Sequence, residues 1–319
     1  MKKILSVFLI LLLLTALPLG VQAQTLIPGG ELIGLSLADR AVTVAAFDKP
    51  DSAAKKAGLQ VGDTITHIDG KAIKNPGDIR TCLDRSKGSV TLDITRKGKP
   101  HSLCIQPAIT QDGPRLGVFL KQGVTGVGTV TYYDPESGDF GALGHCVNDS
   151  AGKFLETTGG TAYAAGILDV RKGKVGKPGQ LVGTMQPDQV VGQLDKNTKQ
   201  GVFGRCETPA HGDILETAPA SQVRTGDATI RSTVGNQGVQ EYSVKILKIY
   251  PTDRSGGRNM LVKITDQRLL DTTGGIVQGM SGSPIIQDGK LIGAVTHVLV
   301  NDPTTGYGIF IENMLDAAA

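Results

Sequence analysis

The chain has 319 residues and a formal charge of +3, with 33 Lys and Arg against 30 Asp and Glu, and its length leaves room for two domains with cores of their own. Its 43 glycines, 4% aromatic residues and lack of tryptophan describe a turn-rich β protein and exclude a helical bundle. The basic cluster Arg171-Lys172-Gly173-Lys174 sits among glycines with no interleaved aromatics, which argues against a nucleic-acid partner.

Lys2-Lys3, the apolar run from Ile4 to about Leu19, and the small-residue alternation Val21-Gln22-Ala23 have the layout of an export signal. Residues 1–23 are therefore expected to be a signal peptide or, given the long apolar run, an N-terminal membrane anchor. Export permits disulfides among Cys82, Cys104, Cys146 and Cys206, in any of three connectivities. No CxxC or HxxxH spacing occurs, so neither a metal nor another cofactor is expected.

From 28 to about 108 the chain reads as one small α+β module. Ser52 caps a short helix that Gly58 ends. A strand Thr64–Ile68 follows and closes in an Asp69-Gly70 turn. Asn75 and Pro76 open a second helix with Ile79 and Leu83 on one face, and Val90–Thr95 with Ser102–Ile105 make a last hairpin. The stretch Ala57-Gly58-Leu59-Gln60-Val61-Gly62-Asp63-Thr64-Ile65-Thr66-His67-Ile68-Asp69-Gly70 resembles the signature of PDZ domains. That resemblance implies a module that adds a peptide as a strand and receives a terminal carboxylate on the amides of a glycine-containing loop. Ile33-Gly34-Leu35-Ser36 is the expected loop.

From 109 to 319 short alternating runs such as Gly126–Tyr133, Gln180–Thr184, Gln189–Leu194 and Val244–Ile249 are separated by glycine-rich turns, the texture of an all-β barrel or sandwich. A short helix is expected near Glu312–Asp316. Within this half, Gly279-Met280-Ser281-Gly282-Ser283-Pro284 sets a serine in a glycine-flanked turn, and Gly144-His145 stands well upstream. A serine hydroxyl needs an imidazole to take its proton and amides to hold the oxyanion. His145 and Ser281 provide the first pair, and the Gly279 and Ser281 amides the second. Cys146 adjoins His145 but points to the opposite face of a strand, so it is no nucleophile for that imidazole. His297 either lines a substrate cleft or sits at the core edge. Gly274-Gly275 predicts a roomy specificity pocket.

The runs Gly141-Ala142-Leu143-Gly144-His145, Gly275 through Ile285, Gly293-Ala294-Val295-Thr296-His297-Val298 and Asn301-Asp302-Pro303 with Gly306-Tyr307-Gly308-Ile309 resemble the stage IV sporulation protein B peptidases. The resemblance implies a mainly β chain, a PDZ domain followed by a trypsin-like double-barrel serine peptidase. It implies an enzyme exported into the space between the forespore membranes, cutting itself and a membrane-associated regulator so that an intramembrane protease activates a late sigma factor. Carried over by motif, Ser281 is the nucleophile, His145 the general base and Asp266 the third, acidic member. On chemistry alone a carboxylate from any nearby strand would serve, so Asp149, Asp188 and Asp195 stay open. The competing expectation is a PDZ adaptor whose trypsin-like domain binds partners without cutting them.

Overall fold

The computed structural model describes residues 24–149, 152–252 and 257–319; the expected signal or anchor segment 1–23 lies outside them. Among the described residues no helix is long and apolar enough to cross a membrane, and all four cysteines are free thiols.

Two closed barrels and one nested module account for most of the strands; Ala108–Thr110 with Gly113–Arg115, and Thr25–Pro28 with Leu215–Glu216, pair outside them. In the first barrel the 16-residue strand Val118–Tyr133 pairs with Asp139–Ala142, which pairs with Gly201–Cys206. The ring continues through Gln180–Thr198 and Thr157–Arg171 to Leu32–Phe47. That strand pairs back onto Val118–Tyr133 and closes the ring. Ile33, Leu35, Leu37, Val130, Phe140, Leu194 and Val202 fill its interior, each buried aliphatic contributing roughly 1.5–3 kcal/mol relative to exposure. The second barrel runs Gly226–Ser232, Gln240–Ile249, Met260–Ile264, Asp302–Phe310, Lys290–Leu299, Pro284–Gln287 and closes on the first of these.

The PDZ module grows out of the first barrel. The strands Leu32–Phe47 and Val118–Tyr133 run in antiparallel register within the barrel, with Leu32 to Leu37 opposite Val124 to Thr129. They continue past an irregularity as a second ladder, Val42 to Phe47 opposite Val118 to Gln122. Onto that second ladder pack Thr64–Ile68, Val90–Arg96, Lys99–Ile105 and the helix Pro76–Arg85. The local signals behave as expected. Ser52 Oγ accepts from the Lys55 amide, and Asn75 with Asp78 forms a reciprocal cap at the second helix, satisfying first-turn donors. Asp63, 1% exposed, takes a two-pronged ion pair from Arg96 and the Gln60 amide, which closes the Gly58-to-Asp63 turn.

Two expectations change here. The module does not span 28–108 as a unit preceding a peptidase at 109–319. Residues Thr25–Leu37 belong to the barrel, and the module's own core includes Leu116 with Val118 and Leu120 packed against it, so it is an insertion in the first barrel. Ile33-Gly34-Leu35-Ser36 is not a carboxylate loop. It is mid-strand, opposite Gly128, Val127, Gly126 and Thr125 on one side and opposite Ala164 through Thr161 on the other, so its main chain is committed to the sheet. Gly34 is required there by packing: a Cβ would stand 2.0 Å from Met185 Cγ.

Candidate active site

A cleft of about 610 Å³ lies between the barrels, lined by His145, Gly279, Ser281, Thr296 and His297 together with apolar side chains from both. The nucleophile turn reaches it because strand Val118–Tyr133 grips the turn from below. The Thr129 amide donates to the Ser281 carbonyl (2.9 Å). Thr129 Oγ1 donates to the Gly279 carbonyl (2.7 Å), and Thr131 Oγ1 to that of Gly282 (2.8 Å). The approach is so close that a Cβ on Gly282, at φ 98°, would lie 2.0 Å from the Thr129 carbonyl oxygen. Among the described residues the Met280, Gly282 and Ser283 amides are spent on Val277, Val295 and Met280 carbonyls. Those of Gly279 and Ser281 donate to no protein acceptor, leaving two amides on the cleft wall for an oxyanion. Met280 is fully buried.

His145 arrives from the first barrel. The Leu143 amide donates to the Thr129 carbonyl (3.2 Å), and then both Leu143 (φ 69°) and Gly144 (φ 67°) turn left-handed. For a leucine that conformation is uncommon and costs free energy, which the surrounding packing must offset. His145 Nδ1 lies 2.8 Å from the Cys146 carbonyl oxygen. Since a carbonyl only accepts, Nδ1 carries the proton and Nε2 keeps its lone pair, the tautomer a general base needs. Burial holds the His145 pKa below the ordinary imidazole range, partly opposed by the bond to Cys146, so the ring is neutral at pH 7. His297 lies beside it, ring centroids 5.1 Å apart and tilted 40°. Its Nδ1 is buried without a partner among the described residues. Burial, then His145 and Arg258, push its pKa down to about 4.

The serine hydroxyl donates to the Thr296 carbonyl (2.7 Å). Thus His145 and Ser281 line one cleft while each is hydrogen-bonded to a main-chain carbonyl of its own. Asp266 is not with them. It is the N-cap of helix Gln267–Thr273, where its carboxylate accepts from the Ser243 amide, the Arg268 amide and the Arg268 guanidinium. The guanidinium, foremost, holds its pKa below the carboxylate range. Among the described residues no Asp or Glu lines the cleft, and Asp149, Asp188 and Asp195 are not on its wall. The acceptor at His145 Nδ1 is main chain. Gly274-Gly275 leaves no room to spare, because a Cβ on Gly275 would stand 2.1 Å from the Pro303 carbonyl oxygen.

Two sets of residues escaped the sequence reading. Asn197, 9% exposed, accepts from the Val147 amide and donates to the Val147 and Leu155 carbonyls, tying the His145 loop to strand Gln180–Thr198; a lone Asn in a polar run gives no advance signal of this. The second is the PDZ groove, about 240 Å³, between helix Pro76–Arg85 and Leu116-Gly117-Val118-Phe119-Leu120. There Val118 to Gln122 pairs only with Val42 to Phe47 among the described residues, so one strand edge faces the helix. Gly117 has φ 75°, and a Cβ there would meet Asp48 Oδ1 at 2.8 Å. The apolar-Gly-apolar run was legible but lay beyond the boundary drawn for the module.

Two barrels flanking a cleft with serine, histidine and paired free amides, and a PDZ module inserted in the first, define a trypsin-like serine peptidase with a peptide-binding accessory. The chain belongs to the SpoIVB peptidase S55 family, whose model matches residues 112–315, and a PDZ domain model matches 49–96. Among curated proteins it is 33% identical over 172 residues to "Putative zinc metalloprotease R01501" of Rhizobium meliloti (strain 1021), covering 51% of this chain and 40% of that protein. A similarly named protein of Agrobacterium fabrum, Atu1380, is 28% identical over 47% of this chain and 37% of its own length. The chain thus spans about two-fifths of these relatives. Among solved structures it is similar to the PDZ domain of the SdrC-like protein Lmo2051 of Listeria monocytogenes (29% identity, 25% of this chain, 87% of that one, TM-score 0.23). It is also similar to the active form of the Rv3671c protease of M. tuberculosis (15% identity, 60% of this chain, 72% of that one, TM-score 0.37).

Proposed function

We propose that the protein is an exported, self-cleaving endopeptidase of sporulation signalling. It acts between the forespore membranes on a membrane-associated regulator whose cleavage lets an intramembrane protease activate a late sigma factor. Ser281 Oγ is the nucleophile, His145 Nε2 the base, and the Gly279 and Ser281 amides the oxyanion donors. The observation that carries the chemistry is the convergence of His145, Ser281 and two uncommitted amides on one cleft wall. Membership of the S55 family supports the biological setting.

Turning the Ser281 hydroxyl from the Thr296 carbonyl toward His145 Nε2 is the step that readies the nucleophile. The proton then passes to Nε2 as Oγ attacks the substrate carbonyl, and the new oxyanion takes the two amides. Imidazolium charge formed on His145 is met at Nδ1–H by the Cys146 carbonyl. The PDZ groove takes a peptide segment of substrate, or of a second copy, as an added strand on the edge Val118 to Gln122.

The test incubates full-length wild type and Ser281→Ala alone and follows intact mass and fragment termini. Only wild type is expected to be clipped, with loss of at least about 10⁴-fold in rate on substitution. If neither is clipped yet a fluorophosphonate labels Ser281, the enzyme is competent and awaits a partner. Absence of both clipping and labelling favours the adaptor, a reading to which the Ser281–Thr296 bond lends its one specific support.

A further inference from the structure

We propose that the hairpin tip Arg171–Lys177 docks the protein on an anionic lipid surface, with Val175 entering the interface. The tip joins Thr157–Arg171 to Gln180–Thr198, two long neighbours in the first barrel's ring. Lys174 and Lys177 exchange both main-chain hydrogen bonds (2.9 and 2.8 Å), and the Gly176 amide donates to the Val300 carbonyl (2.8 Å). Val175 therefore projects at the end of a closed turn, 76% exposed, with Val300, 49% exposed, beside it. Around this apex stand Arg171, Lys172, Lys174 and Lys177, all exposed. In Asp169–Pro178 they face one carboxylate, Asp169.

The cations are not there to balance charge within the fold. Arg171, Lys174 and Lys177 form no ion pair among the described residues, and Lys172 Nζ donates to the main-chain carbonyl of Asp271. The Asp271 carboxylate accepts from Gln267 Nε2, and nearby Asp302 is held by Thr304 and Thr305 hydroxyls. An exposed valine ringed by unpaired cations is the pattern of an interfacial contact, in which apolar area and attraction to anionic headgroups add. A peptide partner fits less well. The turn's hydrogen-bonding groups are spent on each other and on Val300, leaving no edge for an added strand, and neither Val175 nor the adjacent lysines line the cleft. A convex apex suits a deformable surface.

Pro178 and Val300 do line the cleft. A tip seated on lipid consequently holds the cleft mouth next to the bilayer, within reach of chain segments that emerge from it. The docking inference itself does not depend on peptide-bond chemistry.

The protein contains no tryptophan, so full-length Val175→Trp has an emission that reports this tip alone. With phosphatidylcholine vesicles containing phosphatidylglycerol, the emission is expected to shift to the blue and to be quenched by bromine-labelled acyl chains. Phosphatidylcholine alone should do neither, and added salt should reverse the shift. Adding Lys174→Glu and Lys177→Glu should weaken the response at least about 25-fold, roughly fivefold per lost cation. Val61→Trp, on the PDZ module where Val61 is 60% exposed, should stay in water throughout. No shift at 175, an equal shift at 61, or an equal response to neutral vesicles would each overturn the proposal. A response to soluble polyglutamate in place of vesicles would overturn it in favour of an acidic protein partner.

Discussion

The serine side of the cleft and the histidine side are built differently. Ser281 sits in a turn fastened by Thr129 and Thr131 and fitted so closely that only glycine serves at 282. His145 sits in a loop that leaves its strand through a left-handed leucine and is tied to the barrel through the Asn197 side chain. The serine and the two uncommitted amides are fixed in place, whereas the histidine is positioned by a few replaceable contacts. Alignment of the pair is thus governed from the histidine side and by rotation of the serine hydroxyl.

The largest effect expected is from Gly282→Ala. The added methyl meets main-chain oxygen, and the backbone angle already disfavours a side chain. Together these should cost about 3 kcal/mol or more, read as a fall in unfolding midpoint with loss of activity. Asn197→Ala leaves buried main-chain groups at Val147 and Leu155 unsatisfied, costing about 1–3 kcal/mol. Its distinguishing sign is a fall in kcat at nearly unchanged KM, since the base moves while the substrate walls stay. If Asn197→Ala proved kinetically silent, the contrast between the two sides would fail.

Asp266→Asn sharpens the same comparison. Here it should weaken an ion pair between an Asp266 carboxylate 9% exposed and an Arg268 guanidinium 65% exposed, at a cost of about 1–2 kcal/mol, and leave kcat close to wild type. Were Asp266 the third member, the loss would be about 10⁴-fold. A further effect is on pH. His297 has its pKa lowered from 6.5 to about 4 in the fold. The unfolded chain therefore binds a proton first on acidification, and the stability this neutral ring contributes is full above pH 6.5 and is lost as pH falls toward 4. His297→Gln should flatten that part of a stability-against-pH curve. His145, also lowered, should keep the acid limb of kcat/KM below the usual imidazole range.

What could be read from the sequence was mostly local. Asn75-Pro76, Asp69-Gly70 and Gly58 announced their caps and turns because those conformations depend on adjacent residues, and the Gly279-to-Pro284 turn declared itself in the same way. The nesting was hidden, since it depends on Leu32 to Leu37 finding Val124 to Thr129 across the whole PDZ module, a pairing that alternation alone does not specify. Gly34 and Gly117 show the limit well. Both lie in apolar-Gly-apolar runs; one is kept small by Met185 and the other by a left-handed turn beside a groove, and only the tertiary structure tells them apart. Family spacing alone singles out Asp266, and the structure uses it instead as the N-cap of helix Gln267–Thr273.

The nested module also dictates how the molecule can be taken apart. Cutting the chain after the PDZ signature would remove Thr25–Pro28 and the barrel half of Leu32–Phe47, and with them one stave of the barrel that carries His145 and the short strand extending it. Leu37 and Val124, in contrast, are direct cross-strand partners. Excising everything between them and bridging the gap with a short Asn-Gly turn would convert two long strands into an ordinary hairpin, leaving a peptidase with its accessory unplugged and its barrel intact.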